Sequence, residues 1–206
     1  MVEVDKDTTQ ADTKLNAIVK AASKVFVENG YHLAKMDDIA KKAGTTKRTI
    51  YKKFGSKEVL FQYILKSMID TAYARANLLY DKAIPFREQL MKVLYNTWDV
   101  IGDDDFVKIN RIIIAEHMKK PGFMTDILNE GTQRDEGLYA WMDSAIQAGH
   151  VKNCDKYMAS EFIIALVEHF AQNPKFLNRP APKGKKKDLI LEEICAMFIC
   201  RYGNQP

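Results

Sequence analysis

The sequence predicts an all-α protein of about nine helices, in which a small three-helix helix-turn-helix unit precedes a larger helical body. Three observations lead to this prediction. Apolar residues recur at helical spacing, no strand-like alternation bounded by turns stands out, and glycine or proline stops separate the helical segments. We place the boundary after residue 56, which gives one domain of residues 1–56 and a second of residues 57–206.

The first helix carries one apolar stripe and ends at a glycine. It should begin near Thr13, because residues 1–12 have the polar character of a disordered or frayed start. Asn29-Gly30 should close it, since glycine readily adopts the left-handed conformation that ends a helix. The stripe consists of Leu15, Ile18, Val19, Ala22, Val25 and Phe26.

Two short helices joined by a glycine turn come next. Residues 36–43 form the second helix, and Gly44 stands where the turn of a helix-turn-helix needs a positive φ. Thr46 is a good N-cap for a third helix, residues 47–54. Ser56 can cap a long fourth helix in the same way.

The rest of the chain reads as helices separated by stops. Residues 174–187 form a connection rich in proline and lysine. We interpret its lysine run, 183–187, as a solvated loop, with a DNA or partner contact as the alternative. The predicted helices are residues 57–81, 86–101, 104–118, 122–148, 156–172 and 187–202.

Positive charge is concentrated near the N-terminus. Residues 1–55 hold 11 Lys+Arg and 7 Asp+Glu, whereas the remaining 20 Lys+Arg and 20 Asp+Glu cancel. Six basic residues and no acidic one lie between Lys41 and Lys53. Because lysine and arginine supply most of the affinity for phosphates, nucleic acid is the first partner to consider.

Several classes of protein are disfavoured by what the sequence lacks. No apolar run approaches the roughly 20 residues of a membrane span, and the start of the chain lacks the apolar core of a signal peptide. Three cysteines without a CxxC pair fit a reduced, cytoplasmic setting. Because the HExxH, GxSxG and phosphate-loop motifs are also missing, we expect neither an enzyme nor a metal or cofactor site.

The third helix has the residues of a recognition helix. In a helix-turn-helix the second helix enters the major groove, and its N-terminal residues, here Lys47, Arg48 and Thr49, reach base edges. Arginine can offer two donors to guanine, and threonine can contact a base or a thymine methyl. Three short helices with exposed lysines also occur without DNA, and this alternative stays open on the pattern alone. The residues expected at flanking phosphates are Tyr51, Lys52, Lys53 and Lys57.

Residues 30–61 closely resemble the N-terminal signature of the tetracycline-repressor (TetR) family of bacterial regulators. The segment reads GYHLAKMDDIAKKAGTTKRTIYKKFGSKEVLF. The resemblance implies an all-helical homodimer whose variable C-terminal domain binds a small effector, and residues 111–151 faintly resemble the AefR-like members. It also implies that Lys53 and Lys57 contact phosphates and that the DNA is met by Thr46, Lys47, Arg48, Thr49 and Tyr51.

Two positions depart from the family pattern. Relatives usually cap the second helix with Thr or Ser where this chain has Lys35, so the cap is lost or supplied otherwise, and the lysine could reach a phosphate instead. Relatives often have a small residue at position 48. Arg48 therefore indicates a guanine or phosphate contact peculiar to this chain.

The last two predicted helices are apolar on more than one face. One face can meet the chain's own core, and the other suits a partner helix in a four-helix bundle. The alternative is that one subunit encloses both helices. A two-fold dimer would carry two DNA-binding domains and bind a roughly palindromic operator. The residues predicted at the dimer interface are Phe162, Leu166, Phe170, Ile194, Phe198 and Tyr202.

A small hydrophobic or aromatic effector is expected to bind in the body and release a repressor from its operator. Effector binding would move the fourth helix and favour conformations in which the two DNA-reading domains of the dimer are differently spaced. This change in spacing would weaken DNA binding. The alternative is a DNA-binding regulator without a small ligand, controlled by a partner protein or acting constitutively, and an activator is equally compatible with the sequence. The candidate lining residues, each of which also fits an ordinary packed or surface position, are Trp98, Asn110, His117, Tyr139 and His169.

Overall fold

The computed structural model describes residues 6–76, 79–119 and 137–204, with side chains in 13–68, 79–119 and 137–204. These residues contain ten α-helices and, apart from one isolated bridge between Val151 and Gly203, no β-structure, which confirms the all-α class. The helices are α1 (Lys6–Leu33), α2 (Met36–Lys42), α3 (Lys47–Phe54), α4 (Lys57–Ala76), α5 (Phe86–Ile101), α6 (Asp104–Lys119), α7 (Leu138–Gln147), α8 (Lys156–Ala171), α9 (Asn173–Phe176) and α10 (Lys185–Tyr202).

Most predicted helix bounds lie close to the observed ones. α5 coincides with the predicted helix 86–101, whereas α1 begins at Lys6, earlier than predicted, and α4 ends at Ala76 rather than at residue 81. Much of the predicted helix 122–148 lies outside the described residues, and α7 is the part of it that the structure shows. Across the described segments, every helix is too short or too polar to span a bilayer.

The chain divides into two compact units. Unit 1 comprises Met1–Met68 and Lys108–Gly131, and unit 2 comprises Ile69–Val107 and Thr132–Pro206. The first turns of α4 and the later part of α6 therefore belong with α1 to α3. The predicted boundary after residue 56 concerns function rather than contacts, and it stays a prediction.

Unit 1 is built around an aromatic core. Phe26 and Phe61 are fully buried, and their ring centroids lie 5.0 Å apart in an edge-to-face arrangement. The ring of Tyr31 packs against Phe61 at 5.2 Å. Gly30 has a φ of 72° and interrupts α1 just before Tyr31, where the sequence predicts the end of the helix.

Unit 2 has a continuous apolar core to which α5, α7, α8 and α10 contribute. Each helix supplies side chains that are at most 2% exposed, and burying such residues is the main force that favours folding. The cysteine in this core forms no disulfide, and neither do the other two cysteines of the chain. Representative core residues are Leu94, Trp141, Met142, Val167 and Cys195.

The lysine run before α10 differs from the predicted solvated loop. α10 already begins at Lys185. Lys187 forms an ion pair with Asp99 at 2.6 Å, and its ammonium lies 5.1 Å from the ring centroid of Tyr95. The other lysines of the run are exposed. The prediction of a loop was therefore wrong from Lys185 onward, and the prediction of solvation was wrong for Lys187, which attaches the start of α10 to α5.

Candidate nucleic-acid interface

The turn between α2 and α3 has the geometry that the sequence predicts. Gly44 adopts a φ of 65°, a conformation that most side chains avoid. The N–H of Thr45 donates to the carbonyl of Ala40 at 3.0 Å and satisfies one carbonyl at the end of α2. The buried Ile39 and Ile50 anchor the two helices of the motif within unit 1.

The start of α2 lacks a side-chain cap. Lys35 occupies the N-cap position in an extended conformation, and its side chain makes no capping hydrogen bond. Asp37 and Asp38 stand in the first turn, where carboxylates interact favourably with the positive end of the helix dipole. Acidic side chains thus act where the family resemblance led us to expect a hydroxyl cap.

α3 has one anchored face and one exposed cationic face. Thr46 is its N-cap, as predicted: Oγ1 accepts from the N–H of Thr49 at 3.2 Å, and the two hydroxyl oxygens are 2.8 Å apart. Ile50 and Phe54 point inward and are buried. The residues that remain exposed are Lys47, Arg48, Thr49, Tyr51, Lys52 and Lys53.

The basic side chains of this region differ in whether a carboxylate already holds them. Lys47 donates to Oδ2 of Asp37 at 2.8 Å, and Lys42 donates to both carboxylate oxygens of Glu28. Apart from Lys57, which is held by backbone carbonyls, the other basic side chains predicted to contact DNA make no ion pair or hydrogen bond within the described residues. These unpaired residues are Lys35, Arg48, Lys52 and Lys53.

The structure gives Lys57 a role other than the predicted phosphate contact. Its ammonium donates to the carbonyls of Tyr31, His32 and Ala34, at 2.8, 3.2 and 3.2 Å, and lies 4.8 Å from the ring centroid of Tyr31. Burial lowers the pKa of Lys57, while Glu116 opposes that shift. Lys57 therefore satisfies the carbonyls at the end of α1 and connects them to the start of α4.

We expect Lys57→Met to destabilise unit 1 without changing the salt dependence of DNA binding. The substitution leaves three carbonyls without their charged donor, a loss of about 1–3 kcal/mol in the free energy of unfolding. Chemical denaturation measures this loss, and Lys66→Met, at an exposed position of the same helix, is the control. A salt slope reduced by about one, with unchanged stability, would instead favour the phosphate contact.

A buried carboxylate from α6 holds the α1–α2 junction from a second side. Glu116 is 7% exposed, its Oε2 lies 2.7 Å from Nε2 of His32, and its Oε1 accepts from Lys119 at 3.1 Å. Burial, together with repulsion by Glu58 and Glu116, raises the pKa of Tyr31 to about 12. The chain that leads into α2 is thus held by α4 and by α6.

The predicted dimer residues on α10 belong to the chain's own core. Ile194, Phe198 and Tyr202 are buried in unit 2, which corrects their assignment to the interface. α10 instead exposes Leu189 and Met197, at 67% and 58%. Because α10 is apolar on both sides, the sequence pattern alone could not show which side faces inward.

The predicted dimer residues on α8 are more exposed. Phe162 is 52% exposed, whereas Leu166 and Phe170 are half-buried against the core of unit 2. The ring of Phe162 lies 6.3 Å from that of Tyr202, so the exposed side of α8 borders α10. We call the exposed apolar residues of the two helices the outer stripe: Met158, Phe162, Leu189 and Met197.

Three of the predicted effector-lining residues lie in unit 2. Trp98 is part of the core, and Tyr139 is buried with its hydroxyl donating to Glu161. His169 is exposed on α8, edge-on to the ring of Phe170 at 4.9 Å. This position gives His169 no enclosing surroundings within the described part of unit 2.

The other two candidates lie in the part of α6 that belongs to unit 1. Asn110 is half-buried, and the buried Nδ1 of His117 has no hydrogen-bond partner among the described residues. The five candidates are therefore divided between the two units. Their role in binding a ligand stays a prediction.

Three residues outside the predicted set also matter, two of them near the nucleic-acid interface and one in the outer stripe. Asp37 and Glu116 were not among the predicted site residues, although they hold Lys47 and His32. Met158 was missed as well, although its spacing of four from Phe162 places the two on one face of α8. That spacing was the available signal for Met158, whereas Glu116 gave none.

Two short helices joined by a glycine turn, with an exposed cationic second helix, define a helix-turn-helix DNA-binding regulator of transcription. The family model described as "Bacterial regulatory proteins, tetR family" matches residues 18–64. A second model, "AefR-like transcriptional repressor, C-terminal domain", matches residues 88–204, more than half of the chain. The protein belongs to the tetR family of bacterial regulators, which are DNA-binding proteins and not enzymes.

Individual relatives agree with this assignment. The uncharacterized HTH-type transcriptional regulator YhgD of Bacillus subtilis is 26% identical over 154 residues, which cover 72% of this chain and 78% of YhgD. The HTH-type transcriptional activator FasR of Mycolicibacterium smegmatis is 29% identical over 150 residues, 68% of each chain. The crystal structure of a TetR family regulator from Pseudomonas syringae matches with a TM-score of 0.76 at 28% identity, over 94% of this chain and 99% of the other.

Proposed function

We propose that this protein is a dimeric repressor that inserts α3 into the major groove of a roughly palindromic operator and leaves it when a small hydrophobic or aromatic effector binds. The observation that carries the proposal is the unpaired cationic face of α3. Arg48, Lys52 and Lys53 are exposed and have no ion-pair partner within the described residues. Such groups can meet DNA without first giving up a carboxylate.

The residues of α3 divide into base-reading and phosphate-binding groups. Arg48 and Thr49 lie in the first turn, which enters the groove most deeply in a helix-turn-helix. Tyr51, Lys52 and Lys53 follow and would contact phosphates beside the groove. Lys35, which makes no cap, can add a phosphate contact at the start of α2. Lys57 is left out of this set, because its ammonium is held by three carbonyls.

The outer stripe supports assembly into a two-fold dimer. Four exposed apolar side chains on two neighbouring helices leave apolar surface in water, and such patches commonly mark protein interfaces. In a two-fold dimer the same patch meets itself, so α8 and α10 of both subunits would form a four-helix bundle. The two DNA-binding domains would then bind successive major grooves on one side of the DNA, roughly 34–36 Å apart.

The sign of control rests on the C-terminal family match. That match is described as a transcriptional repressor and covers residues 88–204. NicS of Pseudomonas putida, 35% identical over 102 residues, is described as a repressor, whereas FasR is described as an activator. We therefore favour repression. An effector would weaken DNA binding only if it binds the two conformations with unequal affinity.

Salt-dependent binding to genomic fragments tests the proposal as a whole. The purified protein should select a small set of fragments from its own genome, and the selected fragments should share an inverted repeat. The affinity should fall steeply with salt, because each neutralised phosphate releases counterions. Selection of a single unrepeated half-site by a monomer would contradict the dimeric repressor.

We expect Arg48→Ala to relax base preference at one position of each operator half-site. If Arg48 reads guanine, its loss should cost about 1–3 kcal/mol of discrimination at that base pair. Binding to a panel of single-base operator variants measures this. Lys52→Ala is the matched control, which should weaken all sequences alike and reduce the salt slope by about one. Equal weakening of every sequence by Arg48→Ala would assign Arg48 to a phosphate instead.

A further inference from the structure

Asp37 places a carboxylate against the first residue of α3. Its Oδ2 accepts from Nζ of Lys47 at 2.8 Å, and the two side chains remain 66% and 49% exposed. This hydrogen bond is the main cause of a raised pKa of Lys47. Since the first turn of α3 has no acidic residue of its own, the carboxylate that meets Lys47 comes from α2.

The positions of the two residues explain why they pair. Lys47 stands at the N-terminus of α3, where the helix dipole disfavours a positive charge. Asp37 stands in the first turn of α2, where the dipole favours a negative charge and no side chain caps the helix. Exposed pairs of this kind add little to stability. The pair is therefore expected to affect DNA binding more than stability.

We propose that Asp37 limits the affinity of the protein for DNA of any sequence by holding Lys47. This inference rests on the proposed entry of α3 into the major groove. Lys47 either exchanges the carboxylate for a phosphate or approaches the DNA as part of a neutral pair. In both cases Lys47 contributes less to the affinity for DNA than an unpaired lysine such as Lys52 does.

By lowering the affinity for DNA of any sequence, Asp37 would help the protein to discriminate its operator from other sites. A regulator must find its operator among a large excess of competing sites, and tight sequence-independent binding works against that search. Arg48 has no partner within the described residues, so base reading by Arg48 does not depend on Asp37. Removing the charge of Asp37 should therefore raise the background binding and leave the preferred operator sequence unchanged.

Binding of Asp37→Asn to a random-sequence duplex tests this proposal. The variant keeps the shape of the side chain and removes its charge. At low salt we expect its affinity for the random duplex to rise about three- to tenfold. The slope of the logarithm of the association constant against the logarithm of the salt concentration should become steeper by about 0.9 for each DNA-binding unit of the dimer. Asp37→Ser removes the same charge with a residue suited to a helix start, and keeps the test available if the asparagine variant folds poorly.

Two further variants separate the proposed effect from a general change in charge. Asp38→Asn removes one negative charge from the same turn, at a residue without an ion-pair partner in the described chain. It should alter random-duplex affinity by less than about twofold. In a Lys47→Ala background, Asp37→Asn should have an equally small effect, because no lysine remains to be released.

The outcomes distinguish this proposal from the function on which it rests. If the wild-type protein binds no DNA, the proposed function fails, and this inference fails with it. If the wild type binds and Asp37→Asn behaves like Asp38→Asn, only the role of Asp37 is wrong. An increase of the same size in the Lys47→Ala background would also overturn it, because the effect would not require Lys47.

Discussion

Phe61→Ala is expected to lower the free energy of unfolding of unit 1 by about 3–5 kcal/mol. Phe61 is fully buried, and its ring packs against those of Phe26 at 5.0 Å and Tyr31 at 5.2 Å. Truncation removes both contacts and leaves a cavity in the core that supports α1 and α4. Because domains are stable by only about 5–15 kcal/mol, specific binding to DNA should be largely lost at physiological temperature.

The positions of the tryptophans allow the two units to be followed separately. The chain has two tryptophans, Trp98 and Trp141, and both lie in unit 2. Phe61→Ala should produce a loss of circular dichroism at low denaturant that tryptophan fluorescence does not follow. Val59→Ala, at an exposed position of α4, should change stability by less than about 0.5 kcal/mol. Coincident unfolding by both probes in Phe61→Ala would contradict independent loss of unit 1.

Met197→Arg should convert the protein into a monomer and weaken operator binding by at least about a hundredfold. Met197 belongs to the outer stripe and is 58% exposed in the single chain. In a two-fold assembly each substitution appears twice, so two arginines would be buried without partners. A monomer has one DNA-binding domain, so it lacks the gain in effective concentration that two linked binding sites provide.

Sedimentation of the free protein and titration of a full operator measure the two effects of Met197→Arg. Leu177→Arg is the control, because Leu177 is similarly exposed, at 66%, but lies outside the outer stripe. It should leave both the mass and the operator affinity unchanged. A Met197→Arg variant that sediments as a dimer would rule out the outer stripe as the interface. A monomeric wild type would rule out the dimer itself.

Features set by neighbouring residues could be predicted from the sequence. The cap at Thr46 and the positive φ at Gly44 depend on a few adjacent positions, and both were predicted correctly. The inward direction of Ile50 and Phe54 follows from their spacing of four. The order and class of the helices followed from apolar periodicity, since that signal extends along each helix.

Features set by distant residues could not be predicted in the same way. Lys57 has the charge and position of a phosphate-binding residue, but its carbonyl partners lie 23 to 26 residues earlier in the chain. Glu116 reaches His32 across an even larger separation in sequence. Such pairs depend on tertiary packing, which a single sequence does not display. The helix α10 shows a second limit, because two apolar faces leave the inward one ambiguous.

The three carbonyls around Lys57 have a consequence for how this position tolerates change. An ammonium group carries three N–H donors that rotate together about one bond, so it can serve three acceptors arranged around it. A guanidinium group keeps its donors in one plane and holds its charge on a broader, longer head. Arginine at position 57 would preserve the charge and still fail to satisfy all three carbonyls. The exchange of lysine for arginine, which is commonly regarded as conservative, is therefore not conservative at a position where the cation satisfies the carbonyls at a helix end.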